Sequence, residues 1–348
     1  NNLAIIYDKQ NDYDNALKNY AKAVNLQPDY IAAHHNLGLF FLKHEKFNEA
    51  LTQFNNVIQL DPEKLTAHYH LGNLYLGKNQ LDLAEKHYLE VLALNAEHSD
   101  TLSNLGVIFL KREQPQLAID YFSKALAFDN AHQDSRNNLA ATFMLHDRYE
   151  NAITHYLELL AYDPKNNEFH YNIAVAYMHL GHLNDAISHF DIVLENHPDH
   201  TASLNNLAAI FWRLGDTKKA EDYFSRALII EPENTTSRYM LTALTHQNNP
   251  EYNQHGAPAD YVKNLFDNYA VQYDAHLCGQ LEYKLPEKIG ELLEVYKKNI
   301  GENILADKLF ESTLDLGCGT GLVGKFLKPY TQKLVGVDLS EKMLKIAE

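Results

Sequence analysis

The chain has 348 residues, room for two or three ordinary domains, with a formal net charge of -16 and a pI near 5.6. That acidity argues against a nucleic-acid binder, which needs a basic footprint to pair with phosphates, and no apolar run approaches the roughly 20 residues that span a bilayer. Two cysteines, Cys278 and Cys318, cannot build a disulfide framework, which points to a reducing, cytoplasmic setting, and the 19 histidines have no metal-ligand spacing and read as surface residues, with no metal expected.

The first element is a repeat of 34 residues that fills 1–234. Glycine or alanine recurs at Ala4, Gly38, Gly72, Gly106, Ala140, Ala174 and Ala208. Twelve residues later stands an alanine (Ala16, Ala50, Ala84, Ala118, Ala152, Ala186, Ala220), and four further on an aromatic (Tyr20, Phe54, Tyr88, Phe122, Tyr156, Phe190, Phe224). Pro28, Pro62, Pro164, Pro198 and Pro232 close most units, because proline lacks the amide that would continue a helix. Each unit therefore reads as helix, turn and helix. The small residues let two backbones approach and the aromatic fills the space beside them. This pattern resembles the tetratricopeptide repeat, seven copies of it, the first incomplete. The resemblance implies a right-handed α-solenoid with a concave groove that takes a protein or an extended peptide.

One position stands out within the units. Asn2, Asn36, His70, Asn104, Asn138, Asn172 and Asn206 precede the Leu–Gly/Ala pair or its equivalent, although asparagine is a mediocre helix former. The resemblance places this row on the first helix, facing the groove, where side-chain amides can grip a peptide backbone. A structural role, bonding between neighbouring repeats, is the other reading.

Residues 235–247 begin an eighth unit and then lose the pattern, as a capping helix would. Residues 248–258, with two prolines, a glycine and several amides, read as a linker. From 259 to 277 the chain turns helical, and a further helix is expected over 286–300. Residues 266–277, F-D-N-Y-A-V-Q-Y-D-A-H-L, resemble the segment ahead of the methyltransferase fold in enzymes that also carry these repeats. That resemblance makes Tyr269, Tyr273 and His276 candidates to cover a cofactor; a plain apolar core is the alternative.

The chain closes on its most specific motif. Leu314–Gly321 reads L-D-L-G-C-G-T-G, and Asp338 ends the next apolar run. A short buried strand over 313–316, a glycine turn, a helix from Leu322 and a second strand over 333–338 are expected. The match D-x-G-x-G-x-G resembles the cofactor site of class I S-adenosylmethionine-dependent methyltransferases. It implies cofactor contacts from Asp315, Gly317, Cys318, Gly319, Gly321 and Asp338, with Cys318 offering only its backbone amide. The same letters hold a dinucleotide fingerprint, G-x-G-x-x-G from Gly319 to Gly324. Asp315 separates the two readings: a carboxylate repels a pyrophosphate and attracts an ammonium or sulfonium.

The expected architecture is thus mostly α. It is a tetratricopeptide α-solenoid followed, over 259–348, by the first part of an α/β Rossmann-like methyltransferase domain. The chain opens inside a helix and stops ten residues past Asp338, so it reads as cut at both ends. As a piece it is expected to be inactive, with no catalytic base assigned and the methyl acceptor unassigned. The reading from another class is an interaction scaffold with a non-catalytic methyltransferase-like domain.

Overall fold

The computed structural model describes residues 1–245, 259–280, 283–300 and 308–347. The chain divides into two compact units, Asn1–Pro198 and Asp199–Glu348.

The first unit is six antiparallel helix pairs. They are α1 (Asn2–Lys9) with α2 (Tyr13–Leu26), α3 (Ile31–Lys43) with α4 (Phe47–Leu60), and α5 (Leu65–Gly77) with α6 (Leu81–Leu94). Then come α7 (Ser99–Lys111) with α8 (Pro115–Phe128), α9 (Gln133–Leu145) with α10 (Tyr149–Leu160), and α11 (Asn167–Leu180) with α12 (Leu183–Asn196). The periodic small residues and aromatics form the pair contacts. A side chain begun at Gly38, Gly72 or Gly106 would meet the ring of Phe54, Tyr88 or Phe122 at 2.9, 2.4 and 2.5 Å. Those rings, and the alanines at Ala50, Ala84 and Ala118, are fully buried.

The turn inside each pair repeats as faithfully. Asn11, Glu45, Asn79, Glu113 and Asp147 all sit at φ of 57 or 58°, and Gly181 at 79°. This left-handed conformation costs a side-chain-bearing residue roughly 1 kcal/mol, which glycine avoids.

Histidines join consecutive pairs, contrary to the surface placement expected from the sequence. His34, His68 and His170 are buried, and their Nε2 atoms donate to the carbonyls of Pro28, Pro62 and Pro164 at 3.0, 2.9 and 3.1 Å. These prolines lie in the turns just past the preceding helices, where a buried carbonyl needs a donor, and the next pair supplies it. Arg136 does the same for Asn130. The other ring nitrogen, Nδ1, has a partner on the facing helix: Gln53 Oε1 at 2.8 Å for His34, His87 Nδ1 at 3.0 Å for His68 and His189 Nδ1 at 2.9 Å for His170.

The second unit opens with α13 (Thr201–Arg213) and α14 (Thr217–Ile230), which repeat the pattern with Ala208, Ala220 and Phe224 buried. A single helix, α15 (Thr235–Thr245), follows, and its Ser237 Oγ donates to Asn205 Oδ1 at 2.7 Å. The expected capping helix is present to Thr245; residues 246–247 and the expected linker lie outside the described residues. Then come α16 (Ala259–Ala275), a wider helical turn at His276–Gln280, and α17 (Leu285–Ile300).

Two parallel strands follow, β1 (Phe310–Leu316) and β2 (Thr331–Val337), paired from Phe310↔Thr331 to Leu316↔Val337. Between them lie α18 (Gly324–Leu327), which starts two residues later than expected, and a tight turn at Lys328–Tyr330. The chain closes on α19 (Glu341–Ala347). The strands are longer than expected, and the first is not buried. Leu314 and Leu316 are 57% and 74% exposed, because the described part of the sheet has two strands and one of its faces is uncovered.

Candidate functional site

The glycine turn follows β1 directly. The amides of Gly317 and Cys318 both donate to Val337 O, at 2.7 and 3.1 Å, which ties the turn to the end of β2. Gly317, Gly319 and Gly321 take φ of 72, 54 and 77°, where a side chain would be strained. No atom lies within 4 Å of the place where a Gly317 side chain would begin, so its backbone faces open space.

Asp338 stands one residue past β2 and links the two turns. Its Oδ2 accepts from Gly319 N at 2.9 Å and its Oδ1 from Ser340 N at 2.8 Å. Each oxygen keeps a second lone pair. Gly317, Gly319 and Asp338 meet at a pocket of about 280 Å³, walled by Val262, Phe266 and Tyr273 of α16 and by Leu339 and Met343. The Tyr273 ring is 3.5 Å from where a Gly319 side chain would begin. Burial, then Tyr283, Asp338 and Asp274, raise the Tyr273 phenol above its ordinary pKa.

Helix α16 is pegged to both turns. Asp274 accepts from the buried Thr320 hydroxyl. Asp267 accepts from Ser340 Oγ at 2.5 Å and Lys342 N at 3.3 Å, and the Ser340 bond chiefly holds its carboxyl below the usual range. Lys263 adds an ion pair to Glu341 at 2.8 Å. The two aspartates stand seven residues apart, two helical turns, on one face. Replacing Thr320 with valine should loosen this contact by roughly 1.5–3 kcal/mol, since it removes a hydrogen bond to a charged group. Amide hydrogen exchange over 259–280 should quicken in that variant while the repeats are unchanged; identical protection would refute the peg.

The sequence-predicted residues do not all converge. Tyr273 lines the pocket, whereas Tyr269 does not; its ring is 5.6 Å from Tyr273 and 5.4 Å from His276, edge-on to both. Asp315 and Cys318 line a separate cavity of about 570 Å³ with Leu334, Gly336 and α18 and α19 residues. Asp315 Oδ2 is sealed from solvent and has no hydrogen-bond partner among the described residues. Burial first, then Asp315 and Asp338, push the Cys318 thiol pKa up, so the thiol stays protonated. Phe266, Val262, Leu339 and Met343 were not singled out as site residues; the only sequence signal for the first two is the apolar stripe of α16. No cluster of metal-ligand type occurs among the described residues, and no described helix is long and apolar enough to cross a membrane.

The asparagine row is largely bonded to its neighbours. Asn36 Nδ2 donates to Asn1 Oδ1 at 3.0 Å, and Asn104 Nδ2 to Asn73 Oδ1 at 3.0 Å, which also takes the Tyr88 hydroxyl at 2.6 Å. Asn172 Nδ2 donates to Tyr156 OH at 3.2 Å, and Asn206 is partnered too. Asn2 is exposed and accepts from Asn1 at 3.3 Å. Asn138 lines a cavity of about 290 Å³, and His70 stacks on Phe54 with centroids 4.9 Å apart.

Models of the tetratricopeptide repeat match residues 63–131 and 167–230, and a TPR-repeat model matches 6–44, 41–79 and 142–181. A methyltransferase-domain model matches 313–348. A curated relative, named an uncharacterized methyltransferase of Schizosaccharomyces pombe, is 26% identical over 106 residues. That match covers 30% of this chain and 37% of the relative, so the chain spans little over a third of it. Among solved structures, the C-terminal part of a TPR repeat-containing protein from Cytophaga hutchinsonii superposes with a TM-score of 0.59 at 16% identity, covering 68% of this chain and 98% of that one. YrrB, described as a TPR protein with an unusual peptide-binding site, gives 0.47 at 23% identity, covering 53% and 95%. The chain is a tetratricopeptide-repeat protein fused to a methyltransferase domain.

Proposed function

We propose that the second unit carries the cofactor side of an S-adenosylmethionine-dependent methyltransferase and that the repeats hold a protein partner. The pocket where Asp338 binds both turns beside the bare backbone of Gly317 and Gly319 carries this reading. When bound, the cofactor supplies an activated methyl group. Asp338 then offers its remaining lone pairs to vicinal ribose hydroxyls. Gly317 and Gly319 let the ligand lie against the main chain, with Cys318 and Gly321 completing the turn. Tyr273 and Phe266 cover the pocket and exclude water, with Tyr269 packed edge-on against Tyr273. Asp315, at the end of β1, contributes a negative charge that favours a cationic ligand over a pyrophosphate, from the neighbouring cavity rather than by contact. Free thiols at Cys278 and Cys318 suit the cytoplasm. In the array, Asn36, Asn104, Asn138, Asn172, Asn206 and Asn2 would turn side-chain donors and acceptors to a peptide backbone beside the bonds they make within the array.

For the protein at its full natural length, S-adenosylmethionine at a hundredfold over its dissociation constant should add about 2.7 kcal/mol to stability, read as a rise in melting temperature. A rise with a nicotinamide dinucleotide and none with S-adenosylmethionine would reverse the cofactor assignment.

A further inference from the structure

The first unit holds a cavity of about 290 Å³ on the first-helix side of three consecutive repeats. Tyr69 of α5, Ser103 and Asn104 of α7, and Asn137 and Asn138 of α9 form its neutral lining. Asp100 at the start of α7 and Asp134 at the start of α9 supply its charge. These aspartates occupy the same repeat position, and Glu168 occupies it in the next unit.

Nothing within the cavity neutralises that charge. His132 Nδ1 accepts from Ser135 N at 3.1 Å, which puts the ring proton on Nε2, where it donates to Asp100 Oδ1 at 3.0 Å. His132 thus occupies one oxygen of Asp100 and leaves the other. Neither lysine nor arginine lines the cavity, and Arg136 is turned to Asn130 and Glu158. The Tyr69 phenol lies above its ordinary pKa, through burial first; hydrogen bonds with Asn73 and Asn104 oppose the rise, and Asp100 and Asp134 both add to it. One ring therefore feels both carboxylates. The amides beside them are held in place: Asn104 is fixed through Asn73 to the buried Tyr88.

We infer that this cavity seats a basic side chain, arginine or lysine, of an extended peptide that lies along the asparagine row. The inference rests on the groove reading above and names the side chain it selects. The amides and Ser103 serve the peptide backbone, which every sequence shares. The two carboxylates serve the one feature that differs between peptides, a guanidinium or ammonium able to donate to both. A neutral side chain leaves them unmatched, and an acidic one is repelled.

The test uses fluorescence polarisation of labelled glycine-serine nonapeptides with arginine, citrulline or glutamate at the centre. Citrulline keeps the shape of arginine and removes its charge. The arginine peptide should bind about tenfold more tightly than the citrulline peptide, the glutamate peptide more weakly still, and the preference should shrink as salt rises. Asp100→Asn with Asp134→Asn should bring the arginine peptide to the citrulline level and leave the citrulline peptide unchanged. Asn104→Ala should weaken both alike. Equal affinity for arginine and citrulline, or a preference that survives the double asparagine variant, overturns the inference while leaving the groove reading intact. If none of the three peptides binds, the groove reading fails and this inference with it.

Discussion

Phe122→Ala is expected to lower the stability of the repeat array by about 3–5 kcal/mol, the cost of emptying a fully buried aromatic site. The ring lies where a Gly106 side chain would begin, and a methyl added there would meet it at 2.5 Å. The two positions are therefore coupled, and a double-mutant cycle reads the coupling. Gly106→Ala should destabilise the wild-type chain, because the ring must shift. In the Phe122→Ala background the same methyl enters the vacated space and should be neutral or stabilising. Urea unfolding of the four proteins measures this, and additive effects would count against the packing described. Units that carry alanine at this position, such as Ala140 beside Tyr156, show that one methyl can be absorbed when the surroundings are built for it.

Acid should unfold the array well before the carboxylates alone would. His87 is pushed down to about 4, mainly by burial and then by the charges of His68 and Lys86, with Glu90 opposing. His70 is also lowered to about 4, by burial and then His35, and His155 and His189 are lowered with burial as the main cause. The folded chain holds these rings neutral while the unfolded chain protonates them near 6.5. Their contribution is thus complete above about pH 6.5 and is lost as pH falls to 4. For His87 alone the loss is about 3 kcal/mol. The chain carries its own control, since His34 pairs with Gln53 where His68 pairs with His87. His87→Gln with His189→Gln should keep the stability at pH 7.5 and flatten its fall between pH 6.5 and 4. A slope as steep as that of the wild type would show that the paired histidines do not set the acid response.

Much of this was legible before any coordinates, for a physical reason. A repeat multiplies each local rule, so small residue, alanine, aromatic and proline recur in step until their roles are unmistakable. The glycine turn was legible too, because a turn with three residues at positive φ tolerates little but glycine. The histidines were not. A lone His34 or His68 looks like a polar surface residue; only a carbonyl of the preceding unit, six residues earlier, and a side chain 19 residues later on the facing helix make burial favourable. The exposure of Leu314 and Leu316 escaped for the converse reason: an apolar strand reads as buried, but burial requires a layer to cover it.

The sequence by itself determined the helix pairs, their 34-residue register, the two families joined in the chain and the residues of the glycine turn. Only the tertiary structure decided that α16 is pegged to both turns through Asp267 and Asp274, that Tyr273 rather than Tyr269 faces Gly319, and that Asp100 and Asp134 share one cavity. Period and spacing are properties of neighbours along the chain, so they can be read in one dimension. Which face of one helix meets which turn depends on side chains 46 or 73 residues apart arriving together, and that is fixed only when the packing is complete.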